Sequence, residues 1–126
     1  MNKKFSIAWR GSKKPRKQRK YRLNAPLHIK QKFIHSHLSK DLRKKFDKRS
    51  IGLRKGDKVK VLRGQFKKHE GKIEEIDLKK TRVFVSGVEV SKRDGAKKML
   101  AIHPSNLVII DINLDDKFRQ KILERK

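Results

Sequence analysis

Two textures of apolar spacing divide the chain. Through Ser50 the apolar residues are sparse and scattered, whereas from Val59 to Ile112 they come in dense short runs. Lys58-Val59-Lys60-Val61 alternates polar and apolar, the period-two sign of a half-buried strand. After a loop over 64–70, the segment Gly71–Asp77 predicts a second strand. Its Ile73 and Ile76 are three apart, so the alternation slips by one, and a bulge around Glu74-Glu75 restores it. A turn at Leu78–Thr81 leads into Arg82–Ser86, with Val83 and Val85 on one face. Glu89–Arg93 and Lys97–Ile102 flank Asp94-Gly95, a two-residue hairpin signal because such a turn needs positive φ. His103-Pro104-Ser105-Asn106 breaks the chain before a last strand, Leu107–Ile110. Short strands joined by tight turns predict a mainly β fold, a small antiparallel barrel.

The first fifty residues read differently. Residues 1–24 hold Gly11, Pro15 and a basic run with no helical or strand period, which predicts an extended arm. A helix is expected to begin at Ala25-Pro26, because proline is favoured at the first helical position. Leu27, Phe33, Ile34 and Leu38 give it an apolar stripe to about His37. Ser39 caps a second short helix to about Asp47, with Leu42 and Phe46 on one side and Lys44, Lys45 and Lys48 away from it. At the far end Asp115-Asp116 opens a short C-terminal helix whose last turn carries Lys121, Arg125 and Lys126, complementing the helix dipole. The expected organisation is a basic arm with two short helices over 1–50, the barrel over 51–112 and the C-terminal helix over 113–126.

Charge sharpens this division. Met1 to Lys40 holds thirteen Lys or Arg and no acid, and counting on to Lys55 gives twenty basic and two acidic residues, a net +18 of the chain's +25. Like charge at this density repels itself and calls for a polyanion. Nucleic acid is the leading partner, because each Lys or Arg contact releases counterions condensed on phosphates. The arm has too little apolar surface to offset its chain entropy, so the expectation is that it orders only when bound. Cysteine is absent, which excludes disulfides, thiolate zinc sites and a cysteine nucleophile. No apolar run is longer than Leu107–Ile110, far below the roughly 20 residues a bilayer requires, so no membrane partner is expected. The N-terminus lacks the apolar stretch of a secretory signal, and its Pro15-interrupted lysine run does not make the amphipathic helix of a mitochondrial presequence.

Catalytic and metal chemistry find no support in the residues. Gly64 to Gly71-Lys72 has the wrong spacing for a phosphate-binding loop, and Ile73 stands where Ser or Thr would hold magnesium. His28, His35, His37, His69 and His103 are scattered, and His35 and His37 would point to different faces of the expected helix. Glu74, Glu75 and Asp77 read as a solvent face, and Asp115-Asp116 as a helix start. No nucleophile–base pair emerges, so neither an enzyme nor a cofactor is expected.

The segment Gly56–Val85 resembles the KOW motif, a strand–loop–strand unit of SH3-like barrels that bind RNA. It runs Gly-Asp-Lys-Val-Lys-Val-Leu-Arg-Gly-Gln-Phe-Lys-Lys-His-Glu-Gly-Lys-Ile-Glu-Glu-Ile, then a turn and Arg82-Val83-Phe84-Val85. In that family Gly71 is the near-fixed glycine, which would let the chain enter the second strand at a backbone geometry closed to residues with a Cβ. A generic SH3-like barrel with a lysine-rich loop and no RNA role is the plainer reading. Asn24-Ala25-Pro26-Leu27-His28, Leu38-Ser39-Lys40-Asp41-Leu42-Arg43, Arg49-Ser50-Ile51 and Ile102-His103-Pro104-Ser105-Asn106 extend the likeness. Together these segments are similar to the large-subunit ribosomal protein twenty-four family, in its archaeal form, related to eukaryotic twenty-six. Lys14-Pro15-Arg16-Lys17-Gln18-Arg19-Lys20 also looks archaeal.

That resemblance implies a structural constituent of the large subunit in cytoplasmic ribosomes. It implies binding to large-subunit ribosomal RNA near its 5′ region, a role early in assembly, and a place beside the peptide-tunnel exit. Neighbouring ribosomal proteins, and factors docking at the exit, are the implied protein partners. RNA contacts would fall to Lys13, Lys14, Arg16, Lys17, Arg19, Lys20 and Arg22 in the arm, then His28, Lys30 and Lys32. Arg43, Lys44 and Arg49 follow, then Arg63, Lys67, Lys68 and His69 around the loop, with Lys72 and Arg82 on the strands. Cations spread over several segments suit backbone and shape readout of folded RNA better than base reading in a DNA groove.

The family often carries a glycine where this chain has Lys68, so a positive φ there would strain the loop. Phe66 and His69 flank the loop lysines; base stacking is one role, and packing of Phe66 against the barrel's open end is the favoured other. Trp9 and Tyr21 have no evident core of their own, leaving RNA, a neighbouring protein or solvent as their surroundings. Three other functions share parts of this pattern. A KOW-type transcription elongation factor usually brings another domain, a histone-like DNA compactor shares only the charge, and an RNA-modifying enzyme needs a cofactor loop or acid–base pair.

Overall fold

The computed structural model describes residues 4–125. Seven strands form one sheet: β1 His35–Leu38, β2 Ser50–Gly52, β3 Lys58–Val61, β4 Glu70–Asp77, β5 Arg82–Ser91, β6 Lys97–Ile102 and β7 Leu107–Asp111. Their order is β2-β1-β7-β3-β4-β5-β6. The helices are α1 Pro15–Asn24, α2 Leu27–Lys30, α3 Lys40–Phe46 and α4 Lys117–Glu124. The mainly β expectation holds. The hydrogen-bonded ladder, however, stays open between the edge strands β2 and β6, and β1 pairs with β7 in parallel, unlike the antiparallel rest.

Alternation builds the core as the sequence predicts. Val59 opposes Ile109 and Val61 opposes Leu107, and all four are buried. The predicted bulge lies at Glu74: Ile73 pairs with Val85, while Glu75 pairs with Phe84. Two strands expected at 82–86 and 89–93 are instead the single strand β5 with a register shift between Phe84 and Glu89. Gly87, at φ 76°, lies within that shift, and Val85 and Val88, three apart, are both buried. The hairpin after it is also built differently. Gly95 donates to the Lys92 carbonyl at 3.0 Å and Lys92 donates to the Ala96 carbonyl at 2.9 Å. Arg93-Asp94 therefore make the corner and Gly95 alone takes positive φ, a three-residue loop in place of the two-residue turn.

The helix expected to reach His37 ends at Phe33. Beyond it Ser36 and Leu38 turn inward and His35 and His37 outward, which is strand geometry. The buried Ser36 hydroxyl donates to the Pro104 carbonyl, so its polarity is satisfied inside the sheet. His35 and His37 thus share one exposed strand face, contrary to the helical expectation. Helix α3 follows as predicted, with Leu42 N–H donating to Ser39 Oγ at 3.4 Å.

The largest correction concerns the arm. Of the expected extended segment, residues 1–3 lie outside the described residues; the rest folds into a 3-10 turn, Ile7–Gly11, and helix α1. Pro15 occupies the first turn of α1. The Gln18 amide donates to the carbonyls of Trp9 (3.2 Å), Arg10 (3.0 Å) and Ser12 (2.8 Å), joining the turn to the helix. Tyr21, Ala25 and Ile29 are buried, with Phe5, Trp9 and Phe33 packed around them. Phe5 stacks on Tyr21 at 5.3 Å between ring centroids, and Phe33 meets it edge-on at 5.9 Å. Trp9 and Tyr21 therefore do have a core, and the segment expected to be extended is a turn and a helix packed on it.

Helix α4 begins where the acids predict, with Phe118 N–H donating to Asp116 Oδ1 at 2.8 Å; Lys126 lies outside the described residues. Its Arg119 was not singled out by the sequence, yet it is 2% exposed. It forms a two-pronged ion pair with the fully buried Asp57, both contacts at 2.6 Å. Arg119 also donates to the carbonyls of Asn113 (2.9 Å) and Gly52 (3.1 Å), while Asp57 accepts from the N–H groups of Arg54 and Asn113. One guanidinium thus ties α4 to β2, to the entry of β3 and to the chain after β7. No helix among the described residues is long and apolar enough to cross a membrane.

Candidate nucleic-acid interface

Helix α1 turns Tyr21 inward and so sends its cations outward. Lys13, Lys14, Arg16, Lys17, Arg19 and Arg22 are exposed, and Lys20 is half-buried. His28 and Lys32 are exposed; Lys30 is half-buried, and its ammonium donates to the Lys79 carbonyl at 3.2 Å, joining the arm to the turn between β4 and β5. Arg43 and Lys44 sit on exposed positions of α3 and Arg49 precedes β2. Arg43 Nε donates to the Leu38 carbonyl at 2.8 Å, so part of its guanidinium serves the end of β1. Lys48 donates to the Arg125 carbonyl and is not left wholly to solvent.

The loop between β3 and β4 presents Arg63, Lys67 and Lys68 to solvent. Two successive turns shape it: Lys67 N–H donates to the Gly64 carbonyl at 3.1 Å and His69 N–H to the Phe66 carbonyl at 3.0 Å. Lys68 takes φ 73°, the left-handed geometry that the glycine comparison anticipated. Phe66 packs against the main core, the structural one of its two readings. His69 Nε2 donates to the Ser86 carbonyl at 2.9 Å, and its ring would touch a Cβ placed on Gly87 at 3.0 Å. Gly71 is needed for space: a Cβ there would lie 2.6 Å from the Ser86 carbonyl oxygen. Beside it Lys72, exposed, donates its N–H to Ser86 Oγ at 2.9 Å.

Three predicted residues from two distant segments converge. Arg19 and Arg22 of α1 and Arg82 of β5 line a cleft of about 1080 Å³ between the arm and the β4–β5 turn. Arg10, Lys79 and Lys80, which the sequence did not single out as RNA-binding, complete its cationic rim, and His103, also not singled out, lines the cleft beside them. Tyr21, Leu23, Phe33 and Ala101 supply apolar lining, and no carboxylate lines it among the described residues. Lys79 and Lys80 were hidden in a segment that reads only as a turn; adjacent lysines in a turn facing a basic helix are the signal that finds them. Partial burial first, then the charges of Arg82 and Arg22, hold the His103 imidazole below the usual histidine range. Its Nδ1 accepts from Ser105 N–H at 3.3 Å and lies 2.8 Å from Ser105 Oγ, so the neutral ring carries its proton on Nε2.

A second cleft, about 600 Å³, brings His28, Lys32, His35, Arg54 and Lys55 beside Ile76, Leu78 and Ile122. Burial lowers the His35 pKa, leaving that ring neutral at neutral pH. Arg63, Lys67, Lys68 and Lys72 line neither cleft.

Comparison with known proteins identifies the family. Residues 12–126 match the model of a family described as the eukaryotic ribosomal proteins L26 together with their archaeal counterparts, ribosomal proteins twenty-four. A relative from Methanosphaera stadtmanae, "Large ribosomal subunit protein uL24", is 50% identical over 115 residues, 91% of this chain and 98% of the relative. A protein of the same name from Methanothrix thermoacetophila is 49% identical over 114 residues, 90% of this chain and 98% of its own length. With a match that runs through α1, the sheet and α4, the chain belongs to the ribosomal protein family that joins eukaryotic twenty-six and archaeal twenty-four.

Proposed function

We propose that the protein is a structural constituent of the large ribosomal subunit that holds large-subunit ribosomal RNA near its 5′ region. Its family membership supports a structural component over an enzyme and a place in cytoplasmic ribosomes. The observation that carries RNA binding is the cleft where α1 and the β4–β5 turn face each other with cations and, among the described residues, no carboxylate. Polyanion binding relieves that repulsion, which the fold alone does nothing to offset. The sheet, read as an SH3-like barrel left open between β2 and β6, acts as the rigid base. The arm and the Gly64–Glu70 loop reach over phosphates from two sides. Early assembly, a seat beside the tunnel exit, neighbouring ribosomal proteins and exit-site factors as partners complete the reading. Exposed Phe118 and Ile122, four apart on α4, offer those proteins an apolar contact.

Binding to a 5′-region fragment of large-subunit RNA, measured against salt, tests the core of this. With about ten phosphate contacts, log affinity falls against log salt with a slope of roughly −7 to −9. A slope near −2 means the arm does not engage phosphates, and the proposal fails.

A further inference from the structure

The large cleft has more apolar lining than a phosphate surface needs. Ammonium and guanidinium groups suffice to follow a sugar–phosphate backbone, and such a surface gains nothing from an open leucine. Here Leu23 stands 74% exposed on α1 and lines the cleft with half-buried Phe33 and the exposed methyl of Ala101. The space, about 1080 Å³, matches the upper end of small-molecule sites, roughly 300–1,000 Å³. Paired bases in an A-form helix keep their faces stacked and out of reach, whereas unpaired bases splay out against apolar and guanidinium planes. The neutral His103 on the same wall keeps an Nε2–H to donate to a base edge or ribose oxygen.

We propose that this cleft admits one unstacked base of a single-stranded RNA segment, with its flanking phosphates held by Arg19, Arg22, Lys80 and Arg82. The proposal deepens the RNA-binding reading and rests on it. The bulk of the protein's cations then fix position on the RNA, and this slot selects for a nucleotide that has left its stack.

Three probes separate the outcomes: a single-stranded RNA hexamer with a central 2-aminopurine, an RNA hairpin duplex of equal phosphate count, and inorganic polyphosphate. Each is titrated into the full chain with Leu and Ala methyl groups and arginine side chains isotopically labelled. We expect the Leu23 and Ala101 methyl signals to shift with the hexamer alone, and 2-aminopurine emission to change on binding. Leu23→Ser, an exposed substitution, weakens the hexamer roughly 3- to 10-fold and leaves its salt slope intact, since it removes stacking area and no charge. Arg82→Ala weakens all three probes and lowers the slope by roughly 0.7–0.9. If all three polyanions move the same arginine signals while the Leu23 and Ala101 methyls stay put, the cleft is a phosphate surface. The slot is then wrong and RNA binding stands. If none of the three binds, the RNA reading fails and takes the slot with it.

Discussion

The arm and the sheet both hold dense positive charge in place, but they draw on very different reserves. Among the described residues the sheet buries fifteen apolar side chains in one continuous cluster, from Ile34 to Leu123. The arm through Phe33 buries three, Tyr21, Ala25 and Ile29, under a partial cover of Phe5, Trp9 and Phe33. A cluster that small opens at low cost even when its rings stack well. The sheet adds a buried polar latch, Asp57–Arg119, screened far less by salt than a surface pair; the arm adds the Gln18 amide, in part open to water. A protein built this way has a base that stays fixed while its cationic arm opens and re-docks. The single tryptophan, Trp9, lies in the arm, so its fluorescence follows the arm, while the amide signals of the central strands β3, β4, β5 and β7 follow the sheet.

Removing the latch is the largest perturbation available. Arg119→Ala leaves the Asp57 carboxylate buried without its partner, and truncating one member of a buried pair costs about 3–5 kcal/mol. Urea unfolding followed by the amide signals of β3, β4, β5 and β7 should lose that much stability, with the Trp9 transition moved far less, so the two midpoints draw together. An Arg119→Ala variant within about 1 kcal/mol of wild type would show the pair to be incidental. Tyr21→Ala attacks the other side of the comparison. A large aromatic truncated in a core costs about 3–5 kcal/mol, more than so small a cluster can supply. Amide exchange in α1 should become unprotected while the sheet's midpoint holds. If the sheet unfolds with the arm, the two regions form one cooperative unit and the contrast between them is false.

What the sequence made legible follows the same line between local and distant. The β3 alternation, the Glu74 bulge and the Asp116 cap are written in neighbouring residues, and each stands where the spacing placed it. Strand β1 escaped because its inward residue Ser36 is polar, so His35-Ser36-His37 shows no apolar alternation although it alternates in burial. The arm's cluster escaped because its rings, Phe5, Trp9, Tyr21 and Phe33, are too far apart to share a period. Their lysine-rich connections look like a solvated run until α1 turns them outward. Arg119 and Asp57 are 62 positions apart, and nothing near either one hints at the other. The interface was half legible. Arg19, Arg22 and Arg82 stand out by charge, but only the docking of α1 beside the β4–β5 turn brings them to one cleft with Lys79, Lys80 and His103.

The smallest expected effect sits inside the stable half. Lys68 holds φ 73° in the β3–β4 loop, a conformation that costs a residue with a side chain roughly 1–2 kcal/mol. Lys68→Gly relieves that strain but gives back roughly 0.4–1 kcal/mol through the freer unfolded chain. The net gain is about 0.5–1 kcal/mol, visible as a higher sheet midpoint with the Trp9 transition unmoved, which widens the gap between the two regions. Lys68→Ala separates strain from charge, because it removes the ammonium and keeps the Cβ in the left-handed region. It should leave stability level or lower, while both variants lose one phosphate contact and flatten the salt slope of RNA binding by about 0.7–0.9. A Gly variant roughly 0.4–1 kcal/mol less stable than the Ala variant would mean the loop stores no strain. The gap between arm and sheet would then rest on the core and the latch alone.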